Sequence, residues 1–401
     1  MRCNITALLH RIVIVLCFIA SPSPANEPRP VLIGFDGEYG LINSTSAQSI
    51  ELGLNIAIEE INARGGVLDG RPLQLVTLDN RSVPARGVAN FRRFADMPDL
   101  VAVIGGRFSQ VQLQQVSVAH DLKLPLIDAW GAANGITDHA YLPSYTFRLS
   151  LKDDWAMPAM VDHASQKGKK RIGVMLPNTG WGRSNQRSLE KALEQRTDIT
   201  LVGTIWYNFG EKQLLDRYRQ LLNNGAEALL LVANDSEASA LVRELGLHPD
   251  VARLPIISHW GVTGGRMVAA SGDTLHELDF SMVQTFSFFT ARPQVLQRFM
   301  HGAQALAGIE NIEQLVSPVG AGHGYDIVHI LAAAVDRAGS TDRGLVRDAL
   351  ESGIHLDGIV RHYRPAFSAD KHDALSPDQV FMARFRKDGV IVPLDSTYGK
   401  K

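Results

Sequence analysis

A strand–helix alternation runs from residue 31 to residue 129 and starts again at residue 171, and it constrains this chain more than any other feature. Short apolar runs at 31–35, 73–78, 101–104 and 124–129 read as strands. In the first intervening helix, Thr45 and Gln48 have the spacing of a capping box. Ile50, Leu54, Ala57, Ile58 and Ile61 then share one stripe before Gly65-Gly66 stops the helix. Further helices are expected around 86–95 and from Ser109, as its cap, to about Leu122. After a break near 150–154, strands are expected at 171–176, 199–206, 228–232 and 254–258, with helices at 181–194, 212–223 and 236–245. Such alternation builds a parallel sheet with helices on both faces. Two consecutive runs of it predict an α/β chain with two doubly wound parallel-sheet lobes. The tail departs from the rhythm, with an extended stretch at 282–288 and helices at 294–307 and 325–338. Too poor in strands for a core of its own, it is expected to complete the two lobes.

A length of 401 residues, 45% of them hydrophobic, leaves room for two domains. The formal charge is only −2, and the densest basic cluster, Lys167, Lys169, Lys170 and Arg171, reads as a solvated turn. No nucleic-acid partner is therefore expected. Residues 1–25 read as a secretory signal: Arg2 and Arg11 bracket a positive segment, residues 12–20 are apolar, and Ser23 and Ala25 have signal-peptidase spacing. The apolar run is shorter than the ~20 residues that span a bilayer. The mature chain would begin near Asn26, lie in the periplasm and carry a charge of −4 without the two arginines. Both cysteines, Cys3 and Cys17, fall in this segment, so the mature chain would hold no disulfide, thiol nucleophile or Cys-ligated metal. Cys17 follows Leu16 rather than a small residue, which argues against lipid attachment.

In open parallel sheets ligands lie beyond the carboxyl ends of the strands, which directs attention to four strand-end turns. In Gly105-Gly106-Arg107-Phe108-Ser109-Gln110, backbone amides and a hydroxyl could hold an anion, although an ordinary N-cap also satisfies Ser109. Trp130, amid small residues up to Asn134, could wall a cleft or fill core. Trp181, between Gly180 and Gly182, suits a functional aromatic better than a core one. In Ser258-His259-Trp260-Gly261, the histidine reads as structural.

No catalytic motif is present: no G-x-S-x-G, P-loop or H-E-x-x-H occurs. Gly320-Ala321-Gly322-His323-Gly324 lacks dinucleotide spacing and reads as a loop before the Tyr325 helix. Sequons at Asn43, Asn80 and Asn234 are close to chance. The expectation is a binding protein rather than an enzyme, with no cofactor, metal or catalytic residue.

Ile61-Asn62-Ala63-Arg64-Gly65-Gly66-Val67, Val103-Ile104-Gly105-Gly106 and the strand before Trp130 resemble the branched-chain amino-acid-binding proteins of ABC transporters, which are type I periplasmic binding proteins. The resemblance implies two lobes joined by a three-segment hinge, with crossings near Ser150, near 283–286 and near 358–364, and the ligand in the cleft between them. The lobes would comprise residues 26–150 plus about 283–360, and residues 151–282 plus about 361–401. By the same resemblance Ser109 matches a serine that binds the ligand carboxylate, and Trp130 falls where a small residue offers its backbone. Ala132 stands where a threonine helps hold an α-amino acid, Trp181 matches an aromatic lid, and Asn234 lies near another such position. Trp260 stands where an acidic residue pairs with the ammonium. Gln110, Tyr39 and Tyr325 complete the candidate ligand-binding set.

With Ala132 and Trp260 both anchors of an ammonium are missing, and an unpaired buried ammonium costs several kcal/mol. The tryptophans suit an aromatic or apolar carboxylate, or else a quaternary ammonium. The resemblance implies a monomer that delivers a small molecule to an inner-membrane ABC permease. The alternatives are a periplasmic sensor that signals to a membrane kinase or cyclase, and an ordinary branched-chain amino-acid binder.

Overall fold

Parallel strands with both faces covered must be apolar throughout, and β3 (Leu100–Gly105) is buried at every position. In this computed structural model, which describes residues 28–41 and 44–395, it lies at the centre of a five-stranded sheet. The order is β2 (Leu73–Asp79), β1 (Val31–Gly37), β3, β4 (Leu126–Asp128) and β5 (Thr146–Arg148), all parallel. Helices α1 (Ser46–Asn62), α2 (Pro84–Ala95) and α3 (Ser109–Asp121) make the crossovers. The expected signal segment lies outside the described residues.

After α4 (Asp153–Gln166) the arrangement repeats: β6 (Arg171–Pro177), α5 (Gly180–Leu193), β7 (Thr200–Tyr207), α6 (Leu215–Asn223), β8 (Ala228–Leu231), α7 (Asp235–Leu247) and β9 (Ile256–Ser258). Two short helices, α8 (Met267–Ser271) and α9 (Thr274–Glu277), lead into β10 (Phe280–Gln284). The parallel part of this sheet runs β7-β6-β8-β9-β10, the order of the first sheet.

Four expectations are corrected here. Helix α4 was not anticipated, because Pro158 inside it removes a backbone donor and masks the pattern. The tail holds strands after all. Beyond α10 (Pro293–Ala307), α11 (Pro318–Ala338), α12 (Arg343–Glu351) and a small hairpin of β11 (Leu356–Asp357) and β12 (His362–Tyr363), strands β13 (Phe381–Phe385) and β14 (Ile391–Pro393) add antiparallel to β10. The stretch 320–324 is no loop but lies within the first two turns of α11.

The third crossing also lies further along than 358–364. Asp326 of α11 accepts hydrogen bonds from Ile359 N and Val360 N, which fixes that stretch to the first lobe. Arg148 on β5 then pairs in parallel with Asp373, so the chain leaves the first lobe only between Ala374 and Phe381. The other two connections are residues 149–152, after β5, and residues 285–292, after β10.

The first lobe depends on a very close helix pair. A Cβ at Gly53 of α1 would stand 2.1 Å from Ala321 O of α11, so only glycine admits this approach. Gly53→Ala should therefore force the helices apart and destabilise the fold by about 1–3 kcal/mol, the usual cost of overpacking. Denaturant unfolding measures it, and an unchanged midpoint would contradict the close contact.

Candidate functional site

Because the two sheets share one strand order, each has a switch point where neighbouring crossovers diverge, between β1 and β3 in one and between β6 and β8 in the other. The turns that leave these points face each other. From the first lobe come Arg107, Phe108, Ser109 and Gln110 after β3, and Trp130 and Ala132 after β4. From the second come Trp181 after β6, Asn234 after β8, and Trp260 and Gly261 after β9. Seven of the nine residues expected from the sequence meet here.

Tyr39 and Tyr325 are not among the residues that line the cleft. Tyr39 stands edge-on to Phe35 in the first lobe. Tyr325 is buried between α1 and α11, where its hydroxyl donates to Glu60. Both are aromatics near strand or helix ends, a signal that does not say which face of the element the ring takes.

The cleft is tight. Trp130 and Trp260 are each 1% exposed and meet across the lobes, with ring centroids 5.5 Å apart. Phe108 meets Phe209 of the second lobe edge-to-face at 5.7 Å. Between these contacts the remaining cavity is about 10 Å3, about the room that one water needs.

Ser109 does not cap its helix; it is the first residue of α3, and Phe108 holds the cap position without a side-chain bond. Its hydroxyl instead accepts from Ala132 N at 3.0 Å and Ala133 N at 3.2 Å, joining the two cleft turns of the first lobe.

Arg107 is the residue that sequence reasoning passed over. It lay inside a turn singled out for its glycines and serine, and nothing in the spacing said where its side chain would point. The guanidinium crosses the cleft. Nη2 donates to Asp235 Oδ1 at 2.6 Å, Gly261 O at 2.7 Å and Asn234 Oδ1 at 3.1 Å, while Nη1 donates to Gly264 O at 2.9 Å. A Cβ at Gly264 would stand 2.5 Å from Arg107 Cζ, so a glycine there is required for the guanidinium to fit. Two buried donors at the cleft, Arg107 Nε and Trp130 Nε1, have no partner among the described residues. No acidic side chain lines the cavity among the described residues.

A rank of buried polar groups holds the tryptophans from behind. Asp153 Oδ1 accepts from Trp181 Nε1 at 3.2 Å and lies 3.1 Å from His259 Nε2. His259 in turn meets Trp181 edge-to-face. His323 of α11 lies 2.9 Å from Ala129 O and packs against Trp260, and burial pushes its pKa down to about 4. Trp130 sits over Gly320, and its turn is anchored by Asp128 Oδ1, which accepts from Trp130 N and Gly131 N.

Burial raises the Asp128 carboxyl to about 7, against the opposing charge of Arg148. The folded state therefore binds this proton more tightly than the unfolded chain, whose value is near 3.8, and the stability so gained fades as pH rises between the two. Asp128→Asn cannot titrate. From pH 4 to pH 7 the wild type should thus lose stability relative to the variant, by about 3 kcal/mol. Melting curves of both proteins across that range measure this; parallel curves would contradict a raised Asp128.

Comparison with known proteins agrees with this architecture. The family model for periplasmic binding proteins matches residues 30–389. An amino acid binding protein from Pseudomonas aeruginosa is 24% identical over 333 residues, covering 80% of this chain and 82% of that one. Among solved structures, the branched-chain amino acid transporter substrate-binding protein LivJ from Streptococcus pneumoniae, in complex with isoleucine, superposes with a TM-score of 0.76 at 18% identity, over 91% of this chain and 100% of that one. An ABC transporter solute-binding protein from R. palustris, in complex with benzoate, gives 0.74 at 17% identity, over 91% and 95%. With two lobes of matching topology and a family match over most of its length, this chain belongs to the periplasmic binding proteins.

Proposed function

We propose that this protein captures a small carboxylate that lacks an ammonium group, aromatic or apolar in its remainder, and delivers it to an ABC permease. The observation that carries this reading is the polarity of the cleft. Its unpaired buried groups, Arg107 Nε and Trp130 Nε1, are both donors. A buried donor without a partner costs about 1–3 kcal/mol, so a ligand that supplies acceptors gains what the cleft lacks. An α-amino acid would also bring an ammonium, for which the lining offers no carboxylate among the described residues; Asp235, beside the cleft, is already paired with Arg107. The tryptophan faces suit an aromatic or branched apolar body. Solved relatives with isoleucine and with benzoate indicate that this fold admits both kinds of ligand, so the choice rests on the residues of this cleft.

Capture works by hinge closure. Six lining residues come from the first lobe and four from the second, so only a closed form makes all contacts, and the lobes must close again over a ligand that has entered. The cavity that remains between the lobes is too small for benzoate, and entry requires them to part.

A thermal-shift screen of the purified protein tests the ligand class. Benzoate-like and branched aliphatic acids should raise the melting temperature, with about 2.7 kcal/mol of added stability at 100 times the dissociation constant, and leucine should not. A shift with leucine or valine alone would make this an ordinary branched-chain binder. Calorimetry should also find Ser109→Ala about tenfold weaker for the acid, because two amides of the Ala132 turn lose their acceptor. Unchanged affinity would remove that turn from the site.

A further inference from the structure

The ion pair of Arg107 with Asp235 lies between the lobes, not within one. Arg107 follows β3 of the first sheet and Asp235 opens α7 of the second. The two side chains are 3% and 13% exposed, so the pair is shielded from the water that would weaken it. A carboxylate from the protein itself therefore sits on the one guanidinium that lines the cleft among the described residues. Other contacts reinforce the closure: Asn134 N donates to Ser184 Oγ at 3.0 Å, and Ser317 Oγ donates to Thr263 O at 2.7 Å.

We propose that Asp235 is an internal stand-in for the ligand's acid group. By pairing with Arg107 it latches the lobes together without help from any ligand, and an incoming carboxylate must take its place on the guanidinium. The geometry suits such an exchange. Arg107 Nη2 already divides itself among Asp235, Asn234 and Gly261 O, while Nε is unused. A ligand carboxylate that approached the Nε edge could bond Nε and Nη2 side by side, the bidentate arrangement that guanidinium favours. The bonds to the carbonyls of Gly261 and Gly264 would hold the head in position while its anionic partner changes.

The latch sets the apparent affinity. If only the parted form admits ligand, the measured dissociation constant is the intrinsic one divided by the fraction parted. Asp235 would then make this a deliberately weak or selective binder, opened only by acids that pair with Arg107 better than its own carboxylate does. The exchange rests on the carboxylate reading given above; the latch does not.

Small-angle scattering of the purified protein without ligand, paired with calorimetric titration of benzoate, tests both parts. The wild type should scatter as the closed form, whereas Asp235→Ala and Arg107→Gln should both show a larger radius of gyration. In titration the two variants should diverge. Asp235→Ala should bind benzoate at least tenfold more tightly than wild type, and Arg107→Gln at least tenfold more weakly. Circular dichroism checks that both are folded. A wild type already open, or an Asp235→Ala protein as compact as wild type, overturns the latch. Opening of both variants with equal benzoate affinity in wild type and Asp235→Ala overturns the exchange. Opening with no acid bound by any of the three proteins upholds the latch and sinks the ligand class.

Discussion

A guanidinium taken out of water must find acceptors for its N–H groups, and Arg107 finds its side-chain partners and carbonyls on the opposite lobe. Much of the cleft follows from that demand. Gly264 has no side chain because the guanidinium occupies that space, and the turn after β9 is shaped to aim the carbonyls of Gly261 and Gly264 at one point. The head group bridges the two lobes, and Trp130 and Trp260 meet across the same cleft. In a cavity of about 10 Å3, any ligand has to displace protein contacts rather than merely enter.

The repeated sheet order makes the meeting possible. A 2-1-3-4-5 arrangement places its switch point at the carboxyl ends of the central strands. Two lobes facing each other bring both switch points into one gap, so five turns from distant parts of the sequence converge. The three connections are short, and each is fixed near its ends by hydrogen bonds: Asp153 N to Ala132 O at the first, Thr285 to His323 near the second, Ala374 N to Arg148 O before the third. Such anchoring confines motion to a few residues, as hinge closure requires.

Behind the aromatic wall the protein keeps ionisable groups where apolar ones would pack as well. Asp153 and His259 brace Trp181, His323 braces Trp260, and Asp128 holds the turn of Trp130. Polar braces of this kind give direction that dispersion contacts lack: an indole with its N–H bonded has one orientation. The cost is burial, visible in the raised carboxyl of Asp128 and the lowered imidazole of His323.

The sequence alone determined the two-lobed α/β architecture, because strand–helix alternation is a local pattern and parallel sheets need near-continuous apolar strands. It also marked Ser109, Trp130, Trp181 and Trp260, since strand-end turns in such sheets face the ligand side whatever the ligand. It did not reveal helix α4, the late strands β13 and β14, or the helical nature of 320–324, where Pro158, edge position and glycines chosen for close packing obscure the local signal. Nor could it separate Tyr39 and Tyr325 from the cleft, or single out Arg107. Which way a side chain turns from a loop, and which carboxylate 128 residues later receives it, depend on how two separately folded sheets dock. That relation is long-range and leaves no period in the chain, so only the tertiary structure decided it.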